Sequence, residues 1–299
     1  MNDQTQKAEG IVRPGMAPTL TIAVTQLTPV MADKTKNLEK AIDYIQKAAE
    51  KRADIIVFPE LYLTGYTCGE KEGLFYDLAE PIPGATTNAL IEVAKKHDIY
   101  IVMGMPETNT KYPGLIHNSA VFLGPEGILQ VFRKVHNPTF PPCKEIFYGF
   151  APGDEFSVFK IKQNWNIGLL ICYDTWMPEA PRSIVVQGAD LLITPSAGPS
   201  AYKEGWYLVN QVRAIENSIF HVYSNVVGTQ WGDVSFFGGA MIIGPDGTFI
   251  EKGPVDKEDM IIGTLQAKEL YETRRSFPCL RDRRPSAYTG LTDLKYPHM

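Results

Sequence analysis

The stretch LTIAVTQLTPVMADKTKNLEKAIDYIQKAAEKRADIIVF, residues 20–58, decides the fold class. Its apolar run at 20–26 predicts a strand, and 54–58 predicts a second, buried strand. Between them, residues 37–53 carry apolar side chains at steps of three and four with Lys and Glu opposite, which is typical of an amphipathic helix packed on a sheet. The strand–helix–strand order predicts an α/β protein built of layers.

The rest of the chain repeats this pattern. It predicts helices at 87–96 and 181–188, strands at 100–103, 119–123, 190–194 and 240–243, and hairpin turns at the Gly-Pro-acid-Gly tetrads 124–127 and 244–247. Residues 52–59 resemble 188–195, as the two tetrads resemble each other. Two similar half-units facing each other would make an α-β-β-α sandwich; the alternative is coincidence between common turns and strand ends. No linker divides the chain, so we expect one domain at 19–299.

Composition excludes several classes of protein. With 299 residues, 44% hydrophobic and 21% charged, the chain is globular rather than disordered or fibrous. The net charge is −5, from 29 Lys and Arg against 34 Asp and Glu, and the basic residues are dispersed, which argues against a nucleic-acid partner. No apolar run approaches the roughly 18 residues that span a bilayer, so we expect no membrane partner.

The terminal and cysteine patterns predict a cytoplasmic protein. Residues 1–18 are polar and lack the apolar core of a signal peptide, and we interpret them as a flexible extension. The four cysteines have no paired spacing typical of a secreted disulfide framework. The five histidines have no metal-ligand spacing, and Gly238-Gly239 is no dinucleotide-binding loop, so we expect neither metal nor cofactor.

Three polar side chains follow predicted strands. Glu60 follows DIIVFP, Lys134 follows ILQVFR and Cys172 follows NIGLLI. In sheets of this kind catalytic groups concentrate at the carboxyl ends of strands. A cysteine nucleophile needs a base to take its proton and a positive charge to stabilise anions, which a Glu and a Lys supply. Taken singly, each has a plain alternative: an inert buried thiol, a helix-cap partner or a solvated strand end.

The residues around these three positions carry a resemblance. The segments FPELYLTGY (58–66), FRKVH (132–136) and LICYD (170–174, followed by Pro178-Glu179) are similar to motifs of the nitrilase superfamily of carbon-nitrogen hydrolases, in the same order. The resemblance runs from Leu20 to about Tyr288. It implies a four-layer α-β-β-α sandwich whose subunits pair into an eight-layer dimer, and higher homo-oligomers remain open.

The resemblance also implies catalytic roles. Glu60 would be the general base, Cys172 the nucleophile that forms a thioester, and Lys134 with the backbone N–H of Tyr173 the oxyanion site. Glu145, in EIFY ahead of Pro-Gly, would orient the site and assist proton movement; its alternative is a plain surface acid. The C-terminal tail, from about 270 to 299, resembles the family tail that contacts a partner subunit, and its alternative is a solvated basic tail.

For the substrate, Cys-Tyr-Asp resembles the amidase and carbamoylase branches rather than the Cys-Trp-Glu usual in nitrile-hydrolysing members. We therefore predict hydrolysis of a small linear carboxamide to an acid and ammonia. The alternatives, in descending order, are an N-carbamoyl amine hydrolase, which 172–179 also resembles, a nitrilase and a non-catalytic binding module.

Residues next to the motifs are the candidate pocket lining, and their type suits an apolar or aromatic acyl group. They are Tyr66, Phe140, Tyr148, Tyr173, Trp176, Ala197 and Trp206. Trp176 has an alternative place, wholly in the core. Cys68, Cys143 and Cys279 lack a motif and are interpreted as structural or incidental, although the Pro-rich loop 137–145 that holds Cys143 is expected to border the pocket.

Overall fold

The computed structural model describes residues 12–67, 71, 73–141, 143 and 145–292. Within them the strands are β1 (Thr19–Leu27), β2 (Ile55–Val57), β3 (Tyr100–Thr108), β4 (Ile116–Gly124), β5 (Gly127–Arg133), β6 (Val158–Lys160), β7 (Asn166–Leu169), β8 (Leu191–Ser196), β9 (Phe220–Thr229), β10 (Ser235–Phe237), β11 (Met241–Ile243), β12 (Phe249–Lys252) and β13 (Asp259–Gln266). The helices are α1 (Lys34–Glu50), α2 (Leu74–Leu78), α3 (Ala85–His97), α4 (Glu179–Val185), α5 (Lys203–Asn217) and α6 (Ala267–Ser276).

The first helix confirms the predicted strand–helix–strand order but begins and ends three residues earlier than expected. The Asp33 carboxylate accepts a hydrogen bond from the Lys36 N–H, which caps the first turn at residue 34. At the other end, Arg52 has a left-handed φ of +59°, which a continuing helix cannot contain. The apolar face of α1 is buried as predicted, with Ala41 and Ile45 fully covered.

The sheet order brings the ends of several strands to one edge. The order is β5-β4-β3-β2-β1-β9-β8-β7-β6, and the pairs β3/β2, β2/β1, β1/β9, β9/β8 and β8/β7 are parallel. Strand β4 runs antiparallel to β3, and β5 antiparallel to β4, so β5 points the same way as β2 and β7. The segments that follow β2, β5, β7 and β8 therefore leave from the same edge.

Alternation along β1 divides the core. Ile22 and Val24 belong to one large buried cluster. This cluster also contains Phe220 of β9, so it extends from β1 to the neighbouring strand. Ala23, pointing the other way, belongs to a second cluster in which α1 and α3 pack on the strands. A third cluster packs α4 against Leu192 of β8. Helices thus cover the sheet, and the predicted α/β class is confirmed.

Both Gly-Pro-acid-Gly tetrads form the predicted turns. Residues 124–127 join β4 to β5, and 244–247 join β11 to β12, each pair being antiparallel.

Part of the predicted N-terminal extension is packed. Met16 is buried in the large cluster, and Arg13 Nη2 lies 2.5 Å from a carboxylate oxygen of Asp190. The backbone of Ala17 also bonds to Gln163. Residues 12–18 therefore lie against the domain, because apolar and ionic contacts compensate for the entropy of ordering them. Residues 1–11 lie outside the described residues.

Two further features bear on the sequence-based predictions. Over the ranges that the structure describes, no helix has the length and apolar character needed to cross a membrane. In the tail, the Arg274 guanidinium donates to the carbonyls of Ser218 and Ala189 of its own chain, whereas Leu291 is 66% exposed. Residues 293–299, with His298, lie outside the described part of the tail.

Candidate active site

A buried lysine between two carboxylates forms the centre of the site. Glu60 follows β2, Lys134 follows β5, and Glu145 begins a short 3₁₀ turn, Glu145–Tyr148. The Lys134 Nζ atom lies 2.6 Å from Glu60 Oε1 and 2.5 Å from Glu145 Oε1, and all three side chains are inaccessible to solvent. The structure thus brings Glu60 against Lys134 and Glu145, from which it is separated by 74 and more residues of sequence.

Neutral donors complete the coordination of the two carboxylates. Asn118 Nδ2 on β4 donates to Glu60 Oε1 (2.8 Å) and to Glu145 Oε2 (3.2 Å), so one amide bridges both acids. The Ala197 N–H donates to Glu60 Oε2 (2.9 Å), and the Tyr66 hydroxyl donates to Glu145 Oε1 (2.6 Å). Bonds of this kind favour ionised carboxylates in a buried site.

Burial and the neighbouring charges together set the protonation of Lys134 and Glu145. Burial alone would lower the pKa of Lys134, but Glu145 and Glu60 outweigh it, so the pKa lies well above its ordinary value and the ammonium persists at neutral pH. Burial raises the pKa of Glu145 to about 7, with Lys134 opposing the shift and Glu60 reinforcing it. Lys134 is therefore a cation and hydrogen-bond donor, unsuited to act as a base.

Cys172 begins a 3₁₀ turn, Cys172–Trp176, which we call the Cys172 turn. Its φ of +47° is left-handed, a conformation that costs of order 1–3 kcal/mol for a side chain other than glycine. Burial and the nearby Glu60 carboxylate raise the pKa of the thiol well above its ordinary value, and Lys134 only partly opposes this. The resting sulfur is therefore a thiol, and a thiol in this environment would need a base in order to act as a nucleophile.

Two charged residues hold the Cys172 turn in place. Asp174, fully buried, accepts hydrogen bonds from the N–H groups of Ile171 (3.1 Å) and His136 (2.9 Å), and its Oδ1 lies 2.7 Å from the His136 ring. This ties the turn to the segment just after Lys134. Arg213 on α5 donates to the carbonyls of Thr175 (2.7 Å) and Trp176 (3.1 Å) at the other end of the turn.

Close backbone approach places Glu60. A Cβ at Gly104 on β3 would lie 2.3 Å from the Pro59 carbonyl oxygen and 2.8 Å from the Glu60 Cα atom. Only glycine leaves room for the turn that carries Glu60 to pass this strand.

A cavity of about 190 Å³ opens beside Cys172. Its walls come from the loop after β5, the Cys172 turn and the segment entering α5. The lining residues are Pro138, Phe140, Cys143, Cys172, Tyr173, Trp176, Pro199, Tyr202 and Trp206. Phe140, Tyr173, Trp176 and Trp206 thus lie where the sequence predicted a pocket, and the loop that holds Cys143 borders it as expected.

The other three predicted lining residues, Tyr66, Tyr148 and Ala197, are not among those lining this cavity. The Tyr66 hydroxyl donates to Glu145, and the Ala197 N–H donates to Glu60. Tyr148 packs edge-on against Tyr66, with 6.4 Å between ring centroids. Position next to a motif therefore indicated proximity to the site but not which group each side chain meets.

Sequence reasoning missed several residues of the site. Asp174 lies inside the motif segment 170–174, which was a signal that it matters but not of what it contacts. Arg213 lies within the span of the resemblance, outside the three motif segments. Asn118 had no signal beyond its place before a predicted strand, and Tyr202 had none.

The remaining cysteines differ in environment. Burial raises the pKa of Cys143 to about 11, so it is a thiol in the cavity wall. Cys279 is partly buried near Glu216, and Cys68 lies outside the described residues. Among the residues described, no group of three or more His, Cys, Asp and Glu side chains is arranged to hold a metal ion.

Comparison with known proteins gives a consistent picture. A family model described as carbon-nitrogen hydrolase matches residues 21–275. A probable nitrilase of Schizosaccharomyces pombe is 33% identical over 90% of this chain and 97% of its own length. An (R)-stereoselective amidase of Pseudomonas sp. is 31% identical over 88% and 91%. An N-carbamoylputrescine amidase of Oryza sativa subsp. japonica is 33% identical over 87% and 91%.

A solved structure shares the fold. The crystal structure of a carbon-nitrogen hydrolase from Helicobacter pylori G27 superposes with a TM-score of 0.85 at 29% identity, covering 92% of this chain and 99% of that one.

Proposed function

The chain belongs to the carbon-nitrogen hydrolase family, and from this premise we propose that it hydrolyses a small linear carboxamide to a carboxylic acid and ammonia through a thioester on Cys172. The observation that carries the proposal is the buried Lys134, which lies 2.6 Å from Glu60 and 2.5 Å from Glu145. The charges of these three side chains act on the pKa of the Cys172 thiol. A base, a fixed cation and a nucleophile are the parts that acyl transfer requires.

In the first stage, Glu60 takes the proton of the Cys172 thiol as the sulfur attacks the amide carbon. The carbonyl oxygen becomes an oxyanion, which Lys134 and the backbone N–H of Tyr173 stabilise. When the C–N bond breaks, Glu60 returns the proton to the leaving nitrogen, ammonia departs, and the acyl group remains on sulfur as a thioester.

In the second stage, water attacks the thioester. Glu60 takes a proton from the water, the C–S bond breaks, and the sulfur leaves with that proton as the thiol. Glu145, bonded to Lys134, keeps the ammonium oriented toward the oxyanion and assists proton movement. Each role is a proposal supported by the hydrogen-bond geometry and by the raised pKa of the resting thiol.

A second candidate reaction is hydrolysis of an N-carbamoyl amine to an amine, ammonia and carbon dioxide. It is supported by the resemblance of residues 172–179 and by similarity to a protein called N-carbamoylputrescine amidase. The same Cys172 chemistry would serve it, and only the products differ.

Intact-protein mass spectrometry with parallel ammonia and carbon dioxide assays tests both reactions. We expect amides to give ammonia and, where deacylation is slow, an acyl mass on the wild type that Cys172→Ala abolishes and Cys279→Ala retains. Carbon dioxide release would favour the carbamoyl reaction. An adduct that disappears in Cys143→Ala instead would move the nucleophile to the other cavity cysteine and refute the mechanism.

We further propose the four-layer sandwich and its pairing into an eight-layer dimer. The α5 face supports the pairing, because Leu208, Val212 and Ile215 lie at helical spacing on one side and are 63%, 36% and 40% exposed. The tail with its exposed Leu291 would contact the partner. Sizing of Leu208→Asp should show a smaller particle than the wild type, and unchanged elution would contradict this interface.

A further inference from the structure

We propose that the cavity beside Cys172 is a slot for an uncharged aromatic acyl group of about benzyl size, and that Trp176, placed by Gly205, determines this preference. The inference rests on the proposed function and deepens it by naming the substrate class.

Two groups of aromatic rings line the slot. In the first, Phe140 meets Tyr173 edge to face with ring centroids 5.3 Å apart, and Tyr202 with centroids 6.3 Å apart. In the second, Trp176 meets Trp206 edge to face at 5.3 Å. A planar aromatic group that packs against these rings gains edge-on and offset contacts in addition to the burial of its surface.

Among the residues that the structure describes, the nine that line the cavity include no Asp, Glu, Lys, Arg or His. A carboxylate or ammonium on the acyl group would lose its hydration without gaining a counter-charge from the walls, which disfavours its entry. Aromatic faces also attract organic cations, so a cationic acyl group is the main rival. We favour the neutral group because none of the described lining residues carries a carboxylate that could balance a cation.

The volume fits one ring. An apolar cavity of about 150 Å³ is known to stay dry and to accept benzene, and this cavity measures about 190 Å³. A phenyl ring with one further carbon therefore fills the slot, whereas an acetyl group leaves most of it empty.

Gly205 controls the position of one wall. It lies in the first turn of α5, where an added Cβ would come within 2.9 Å of the Trp176 Cη2 atom, so alanine there must displace the indole. Alanine is favoured over glycine in a helix, so the variant should fold. Gly290 is the matched control, because a Cβ added there meets no atom of the described residues of its own chain within 4 Å.

The test compares kcat/KM for phenylacetamide, acetamide, and the para-carboxy and para-aminomethyl derivatives of phenylacetamide. We expect the wild type and Gly290→Ala to prefer phenylacetamide over acetamide by about 100-fold, and to use both charged derivatives poorly. Gly205→Ala should reduce the preference for phenylacetamide over acetamide at least about tenfold. Binding of the same amides to Cys172→Ala, measured by calorimetry, gives a readout that needs no turnover.

The outcomes separate the slot from the reaction. Acetamide used as well as phenylacetamide, or a Gly205→Ala preference equal to wild type, would overturn the slot and leave the hydrolase standing. Efficient use of the aminomethyl derivative would overturn it in favour of a cation-binding cage. If Cys172→Ala binds phenylacetamide selectively but the wild type releases no ammonia from any amide, the slot stands and the proposed reaction fails. If the amides are neither bound by Cys172→Ala nor hydrolysed by the wild type, both the slot and the proposed reaction are overturned.

Discussion

Replacing Tyr66 by phenylalanine removes one hydrogen-bond donor from the Glu145 carboxylate and leaves the ring in place. The hydroxyl donates to Glu145 Oε1 at 2.6 Å, and burial raises the pKa of Tyr66 well above its ordinary value, so it remains a donor. The ring keeps its edge-on contact with Phe236 at 5.7 Å. The change therefore removes a hydrogen bond from the Glu145 carboxylate with little effect on packing.

The magnitude follows from the hydrogen bond. A bond to an ionised acceptor contributes about 1.5–3 kcal/mol, and one pKa unit corresponds to about 1.4 kcal/mol. Losing the bond removes an interaction that favours ionised Glu145, so its pKa should rise from about 7 by about one to two units. If ionised Glu145 supports catalysis, activity at pH 7 falls about 5- to 50-fold and recovers as pH rises.

The assay is a pH profile of kcat/KM for ammonia release, with the rate of Cys172 alkylation by iodoacetamide as a second readout. We expect the acidic limb of both profiles to move to higher pH in Tyr66→Phe. Tyr62→Phe is the matched control, since Tyr62 is equally buried but its hydroxyl has no hydrogen-bond partner among the described residues. An acidic limb unchanged in folded Tyr66→Phe, or moved equally in the control, would refute the reasoning.

Three further variants test the framework of the site. Gly104→Ala puts a Cβ against the turn that carries Glu60, so we expect a loss of about 1–3 kcal/mol in unfolding free energy and of most activity; wild-type melting and turnover would contradict this. Asn118→Leu removes the donor shared by Glu60 and Glu145 and should lower kcat/KM about tenfold or more, as measured by ammonia release, whereas unchanged kinetics would show that the bridge is dispensable. Arg213→Ala leaves two carbonyls of the Cys172 turn without their donor and should lower the unfolding free energy by about 2–3 kcal/mol in a denaturant titration. Arg213→Lys should lower it less. Equal stability of both variants and the wild type would show that these hydrogen bonds of Arg213 contribute nothing to stability.

Local patterns determined most of the fold class. Strand and helix periods at 20–58, and Gly-Pro-acid-Gly turns at 124–127 and 244–247, depend on contacts between residues close in the chain. Their elements were therefore predictable apart from shifts of a few residues at their ends. Those shifts came from single side chains such as Asp33, whose capping bond starts α1 earlier than the apolar period indicates.

The sequence by itself also determined which residues are candidates for chemistry, because Glu60, Lys134 and Cys172 each follow an apolar run whose end must lie at an edge of the sheet. Tertiary structure decided what they contact. Tyr66 reaches Glu145 across 79 residues of sequence, and Asn118 reaches Glu60 across 58. The cavity likewise exists only where three separate segments meet. Such contacts depend on how strands are ordered in space, and periodicity along one chain carries no information about that order.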